Sequence, residues 1–179
     1  VAWAQPSVAF GRVFVGSHNG TVFSLDAKTG CIYWTFGAKG GVRTAIAIGK
    51  KAVYFGDTGA NVYALDAATG AVLWTRQVEA HPSARITGSP TIYEDRLYVP
   101  VSSYEEVQGS NPDYECCTFR GSLVALNTGT GEVVWKSYVI PAEPKPQGKT
   151  AKGKTRYGPS GDRKSTRLNS SHLVISYAV

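Results

Sequence analysis

Leu25-Asp26-Ala27-Lys28-Thr29-Gly30-Cys31-Ile32-Tyr33-Trp34 returns as Leu65-Asp66-Ala67-Ala68-Thr69-Gly70-Ala71-Val72-Leu73-Trp74. It returns again as Leu126-Asn127-Thr128-Gly129-Thr130-Gly131-Glu132-Val133-Val134-Trp135. Leu, Asp/Asn, Thr, Gly and Trp hold fixed offsets in all three. Trp34 and Trp74 stand about forty residues apart, and such a period marks a repeat architecture.

Each copy reads as a hairpin. Thr21-Val22-Phe23-Ser24-Leu25, Asn61-Val62-Tyr63-Ala64-Leu65 and Ser122-Leu123-Val124-Ala125-Leu126 alternate and are rich in β-branched and aromatic residues, the pattern of a strand. Asp or Asn opens the turn by bonding its own backbone, and Gly closes it at positive φ. The loop is four to five residues long. The Trp is expected to pack between neighbouring hairpins, where a large ring buries most area.

Further strands precede each hairpin. Ala9-Phe10-Gly11-Arg12-Val13-Phe14-Val15-Gly16-Ser17 is a turn and a strand, with His18-Asn19-Gly20 turning into the hairpin. Residues 47–57 repeat this with Thr58-Gly59 as the turn, and Ser89 to Val99 is the third version. Four antiparallel strands in about forty residues make a β-propeller blade. The fold class is therefore all-β: part of a propeller, about three to four four-stranded blades of an expected eight.

Two stretches break the pattern. The step from Trp74 to Trp135 is about sixty residues, and the excess is a polar insertion from Ser103 to Thr118. Loops of that length without strand pattern are usually functional or disordered. From Pro141 to Lys154 the chain is rich in Pro, Lys and Gly and reads as a solvated connector.

The net charge of +6 comes from the C-terminal part. Residues 1–141 hold 11 basic and 11 acidic residues. Nucleic-acid binding needs its basic excess on the folded part, so it is not expected. No run of eighteen apolar residues offers a membrane span. There is no Met, and the chain opens in mid-pattern, so it reads as a piece of a longer protein. Two parts are expected: propeller repeats over 1–161 and a foreign tail over 162–179. Asp162-Arg163-Lys164-Ser165-Thr166-Arg167-Leu168-Asn169-Ser170-Ser171-His172 back-translates onto a common short-read sequencing adapter. Leu173-Val174 takes the place of an index barcode, and Ile175-Ser176-Tyr177-Ala178-Val179 continues the adapter.

The repeat Val62-Tyr63-Ala64-Leu65-Asp66-Ala67-Ala68-Thr69-Gly70 with Trp74 resembles that of the pyrroloquinoline quinone (PQQ) dehydrogenase superfamily, over about residues 3–161. The repeat alone is fold-specific, because scaffold propellers of the BamB type share it. Longer stretches are similar to polyvinyl-alcohol dehydrogenase-type quinoproteins: Ser24 to Phe36, Gly41-Val42-Arg43-Thr44-Ala45-Ile46, Ala84-Arg85-Ile86-Thr87-Gly88, Tyr114 to Ser122, and Gly158-Pro159-Ser160-Gly161. This resemblance implies a periplasmic enzyme that oxidises secondary alcohols. PQQ would accept the hydride, Ca²⁺ would assist, and a cytochrome c would take the electrons. The Asp expected as base would lie outside this chain, and the piece alone is expected to be inactive.

The site residues follow from the same resemblance. Arg43, at the start of an inner strand, matches the Arg that pairs with the quinone oxygens or carboxylates; the alternative is a surface ion pair. Thr87 matches a Thr that bonds the cofactor; alternatively it bonds a strand carbonyl. Ser102-Ser103-Tyr104-Glu105-Glu106 resembles the loop whose Glu ligates Ca²⁺, which puts Ser102 and Ser103 near the cofactor and Glu106 on the metal, with Glu105 as the alternative. Cys116 and Cys117 are adjacent. Cα atoms across a trans peptide lie about 3.8 Å apart whereas disulfides favour about 4.4–6.8 Å, so a bond between neighbours needs enforcing surroundings; two separate thiols are the alternative. The resemblance implies a bonded ring against the PQQ plane. In methanol dehydrogenase-type members the pair precedes the Arg; here Gly37-Ala38-Lys39-Gly40 stands in that place, and the pair sits a blade later. Cys31, on a repeat strand, is expected in the core. The His residues show no metal spacing, and no Cys-x-x-Cys-His haem motif occurs.

Overall fold

The computed structural model describes residues 4–161; the tail read as adapter-derived lies outside them. Three antiparallel sheets follow one another along the chain. The first runs β1 (Ser7–Ala9), β2 (Arg12–Gly16), β3 (Thr21–Asp26), β4 (Ile32–Gly37), each strand paired with the next. The second repeats that order with β5 (Ala47–Ile48), β6 (Ala52–Gly56), β7 (Asn61–Asp66) and β8 (Val72–Gln77). In the third, short β9 (Ala84–Arg85) pairs with the far end of a long strand, β11 (Arg96–Ser103). Strands β10 (Thr91–Tyr93), β11, β12 (Ser122–Asn127) and β13 (Val133–Tyr138) complete it. Inner strand β5 lies against both β1 and β10. These are blades of a β-propeller stacked around a shared axis, as the repeat predicts.

The hairpin turns form as their residues require. Asp26 Oδ1 accepts the Lys28 N–H at 3.0 Å, the Thr29 N–H at 2.7 Å and the Thr29 hydroxyl at 2.9 Å. Asp66 does the same with Ala68 and Thr69. Asn127 bonds the N–H groups of Gly129 and Thr130 with a neutral oxygen. The donors hold both carboxyls below the usual range: Asp26 falls to about 2, chiefly through the Tyr33 hydroxyl and the Thr29 N–H. Asp66 is lowered chiefly through the Thr69 hydroxyl and N–H.

Each Trp joins two blades. Trp34 donates its indole N–H to Ala67 O at 3.2 Å, and Trp74 donates to Thr128 O at 2.9 Å. The rings lie on the turn glycines of the next blade. A Cβ added at Gly70 would stand 2.7 Å from Trp34, and one at Gly131 would stand 2.6 Å from Trp74. These glycines serve twice, at φ +76° and +70° and as flat ground for a ring. Trp135 is 41% exposed, so the third copy does not share the interblade packing expected of it.

Burial tracks position in the stack. The middle blade is covered on both faces, so Ala52-Val53-Tyr54-Phe55-Gly56 is buried throughout, whereas β3 alternates. One cluster, including Phe14, Trp34, Val42, Phe55 and Leu65, fills the first interblade space. Another, including Tyr54, Val62, Ile86, Leu97, Phe119 and Leu126, fills the second.

Three expectations are corrected. Cys31 is exposed, because it lies in the turn ahead of β4, outside the pleated pairing. The insertion after Ser103 opens with a short helix, α1 (Glu105–Gln108). The Pro/Lys-rich connector forms a hairpin of β14 (Lys145–Lys149) and β15 (Thr155–Gly158). Tyr157 N donates to Cys116 O at 2.7 Å, fastening this hairpin to the insertion. Among the described residues no helix is long and apolar enough to cross a membrane.

Candidate functional site

Arg43 and Thr87 occupy equivalent places in successive repeats. The residue before each is an apolar plug: Val42 and Ile86 are fully buried. Val42 packs on Gly16 and Ile86 on Gly56, leaving no room for a Cβ at either glycine. Val42 N donates to Ser17 O at 2.9 Å and Ile86 N to Asp57 O at 3.1 Å, tying each segment to the preceding blade. Arg43 lies ahead of β5 rather than at its start, and Thr87 lies just past β9. Both line one cavity.

That cavity holds about 520 Å³ and is lined by His18, Arg43, Thr58, Arg85, Thr87, Ser103 and Tyr104. All three blades contribute. Among the described residues the wall carries two guanidinium groups, three aliphatic hydroxyls, a phenol and an imidazole, and no carboxylate. It is a cationic, donor-rich space suited to an anion.

The wall is held from behind. Arg43 Nε donates to His18 Nδ1 at 3.2 Å. Thr58 exchanges two bonds with Gly41: Thr58 N to Gly41 O at 2.9 Å and Gly41 N to Thr58 Oγ1 at 3.0 Å. Nearby, the fully buried Asp57 accepts from Gly40 N, Gly59 N, Asn61 and the Tyr63 hydroxyl. Burial first, and then the Asp57 carboxylate, pushes the Tyr63 phenol up. Ser102 is buried behind the cavity, its hydroxyl 3.1 Å from Thr87 Oγ1 and bonded to Arg85 O at 3.3 Å. It braces Thr87, while Ser103 takes the place on the wall.

The two glutamates of α1 part company. Glu105 is buried and clamps the chain on both sides of the Cys pair. Its carboxylate accepts Thr118 N and Phe119 N at 2.8 Å each and the Tyr114 hydroxyl at 3.2 Å. His81 Nε2 stands 3.8 Å away. Glu106 is exposed on the same turn and does not line the cavity. Cys116 and Cys117 are joined as a disulfide across a cis peptide, with Cα atoms 3.0 Å apart rather than at the trans spacing. The sulfurs sit against Gly109, where an added Cβ would lie 2.7 Å from Cys116 Sγ.

The structure thus gathers Arg43, Thr87 and Ser103 around one space and puts Ser102 one layer behind. The Cys pair and Glu106 are not among that cavity's lining residues. His18, Thr58, Arg85 and Tyr104 were not singled out from the sequence. Gly16 and Gly56 were the available signal: a strand-end glycine in each of the first two repeats marks where the next blade's plug seats.

Residues 2–155 match the profile of the PQQ_2 family, described as outer membrane protein assembly factor BamB. A polyvinylalcohol dehydrogenase of Sphingopyxis sp. (strain 113P3) is 41% identical over 165 residues, covering 88% of this chain and 25% of that protein. The quinohemoprotein alcohol dehydrogenase ADHIIG of Pseudomonas putida HK5 superposes with a TM-score of 0.67 at 25% identity, over 82% of this chain and 22% of that one. BamB of Moraxella catarrhalis superposes with a TM-score of 0.50 at 25% identity, over 76% and 48% of the two chains. The chain spans about a quarter of the length of the curated relatives it matches.

Proposed function

We propose, on the premise that this chain belongs to the PQQ_2 family of β-propellers, that it is part of a PQQ-dependent dehydrogenase. On this reading the full-length protein oxidises secondary alcohols of the polyvinyl-alcohol type in the periplasm and passes electrons to a cytochrome c. Residues 1–161 are its propeller repeats, and 162–179 are a foreign tail. The observation that carries the reading is the cavity of about 520 Å³ in which Arg43, Arg85, Thr87 and Ser103 meet without a carboxylate.

The residues present fit PQQ, which bears three carboxylates and a planar quinone. Arg43, anchored by its Nε on His18 Nδ1, would hold a carboxylate or quinone oxygen through its guanidinium. Thr87, braced by Ser102, would present its hydroxyl oxygen to the group. When bound, the group supplies an electrophilic quinone carbonyl that accepts hydride from the alcohol carbon. The guanidinium of Arg43 favours any negative charge that develops beside it, because its donors are already oriented.

Calcium fits less well. The ion takes six to eight oxygens. Both Glu105 oxygens are committed to the 114–119 segment, and Glu106 is the other carboxylate of α1. These residues do not build a calcium site by themselves, and no chemical step is assigned to the ion.

The deciding experiment reconstitutes the full-length protein with PQQ, with and without Ca²⁺, and follows dye reduction by a secondary alcohol. Reduction that needs PQQ supports the reading; none by the reconstituted protein overturns it. The family description and the BamB likeness favour a second reading, a non-catalytic scaffold. A scaffold would show no saturable PQQ binding.

A further inference from the structure

The geometry points to Arg85 as a second anchor for a carboxylate-bearing cofactor, sharing the cavity with Arg43; this rests on the PQQ reading above. Arg85 ends the two-residue strand β9, which pairs antiparallel with Ser102 and Ser103 of β11. Its guanidinium is fixed by its own surroundings. Nη1 donates to Ala84 O at 2.8 Å and to Pro82 O at 3.3 Å. The Tyr104 ring centroid lies 5.9 Å from Cζ. Carbonyl bonds on one nitrogen and a ring beside the plane set the direction of the fork.

The remaining edge of that fork, Nε and Nη2, makes no hydrogen bond among the described residues. Arg85 has no ion pair among them either. Its nearest carboxylate in sequence is Glu79, which is spent on Lys136. Glu105, two residues past the β11 residues that pair with β9, is spent on Thr118 and Phe119. Two guanidiniums line one cavity, and an anion that enters it is drawn to both. A ligand with one carboxylate would reach one of them. A rigid ligand with several separated carboxylates satisfies both and is held in one orientation. PQQ is such a ligand, so one carboxylate goes to Arg43 and a different one to Arg85. The residue's role is then affinity and orientation, not hydride or proton movement.

The test is equilibrium binding to the full-length protein, read by quenching of protein fluorescence, with PQQ and its trimethyl ester as probes. The ester keeps the ring and loses the three negative charges. Arg85→Gln should weaken PQQ roughly 10- to 100-fold, the scale of one charge-assisted bidentate contact. It should leave ester binding nearly unchanged, so the preference for acid over ester collapses. Arg85→Lys, which keeps the charge without the fork, should fall between. If Arg85→Gln fails to fold in a thermal melt, the Lys variant decides: an acid-over-ester preference equal to that of the unaltered protein overturns the assignment. Equal weakening of both probes also overturns it, since it reveals a structural role. PQQ binding that ignores Arg85 sinks the anchor and spares the cofactor reading; no PQQ binding by the unaltered protein sinks the cofactor reading first.

Discussion

Gly70→Ala and Gly30→Ala test how the blades are joined. The two glycines sit at the same place in two copies of one turn, at φ +76° and +73°. An alanine at either pays the left-handed backbone cost, about 1–2 kcal/mol. Beyond that they differ in one respect. A Cβ at Gly30 meets nothing within 4 Å, whereas one at Gly70 stands 2.7 Å from the Trp34 ring. Carbon atoms rest about 3.5–4.0 Å apart, so the ring must retreat by about 1 Å. Retreat breaks the indole bond to Ala67 O, worth about 0.5–1.5 kcal/mol. It also disturbs a ring that is only 8% exposed, an overpacking cost of about 1–3 kcal/mol. The excess of Gly70→Ala over Gly30→Ala is then about 1.5–4.5 kcal/mol. Urea denaturation with an unchanged m-value reads it, and tryptophan emission should move to longer wavelength for Gly70→Ala alone. If the two substitutions cost the same, the ring-on-glycine joint is not what holds the first two blades together.

Other outcomes follow from the same structure. Glu105→Gln leaves one of the Thr118 and Phe119 N–H groups without its acceptor, which should cost about 1–3 kcal/mol and speed proteolysis between Tyr114 and Phe119; unchanged cleavage would remove Glu105 from the clamp. Glu79 accepts from Lys136, across the second blade junction. Burial raises its pKa, but the Lys136 bond and the His81 and Ala80 N–H groups outweigh this and hold it below its ordinary 4.5. The stability this adds is present above that ordinary value and is lost as pH falls through the lower folded one. The gap between the unaltered protein and Glu79→Gln should therefore be full at neutral pH and close in acid; a gap that widens in acid would contradict the sign. Under non-reducing conditions the intact mass should be two hydrogens below that of the fully reduced chain. Alkylation should then mark Cys31 alone, and label on Cys116 or Cys117 would count against the disulfide. Arg43→Lys keeps charge but loses the fork, so PQQ binding should weaken about tenfold or more, by the titration used for Arg85.

The repeat determined the blades by local physics. Asp26, Asp66 and Asn127 bond the backbone within three residues of themselves, the glycines need only their own φ, and alternation sets each strand's two faces. Such rules act within a hairpin, so they are legible in one sequence; the second duty of Gly70 and Gly131, as ground for a Trp ring of the blade before, is not among them. The cavity obeys others. Arg43 faces it because Val42 seats on Gly16, across the blade junction, and Thr87 because Ile86 seats on Gly56. Ser102 and Ser103 are adjacent, yet one braces and one lines, because β9 pairs with that end of β11. Glu105 and Glu106 are indistinguishable as letters; one turn of helix buries the first against Thr118 and Phe119 and leaves the second in water. His18 joins the wall from a turn and Arg85 from the short strand β9, about sixty-seven residues apart, a distance no local pattern spans. Alternation and turn chemistry act between near neighbours in the chain, whereas a pocket is made where strangers in sequence are packed together, and only the stacking of blades chose which ones.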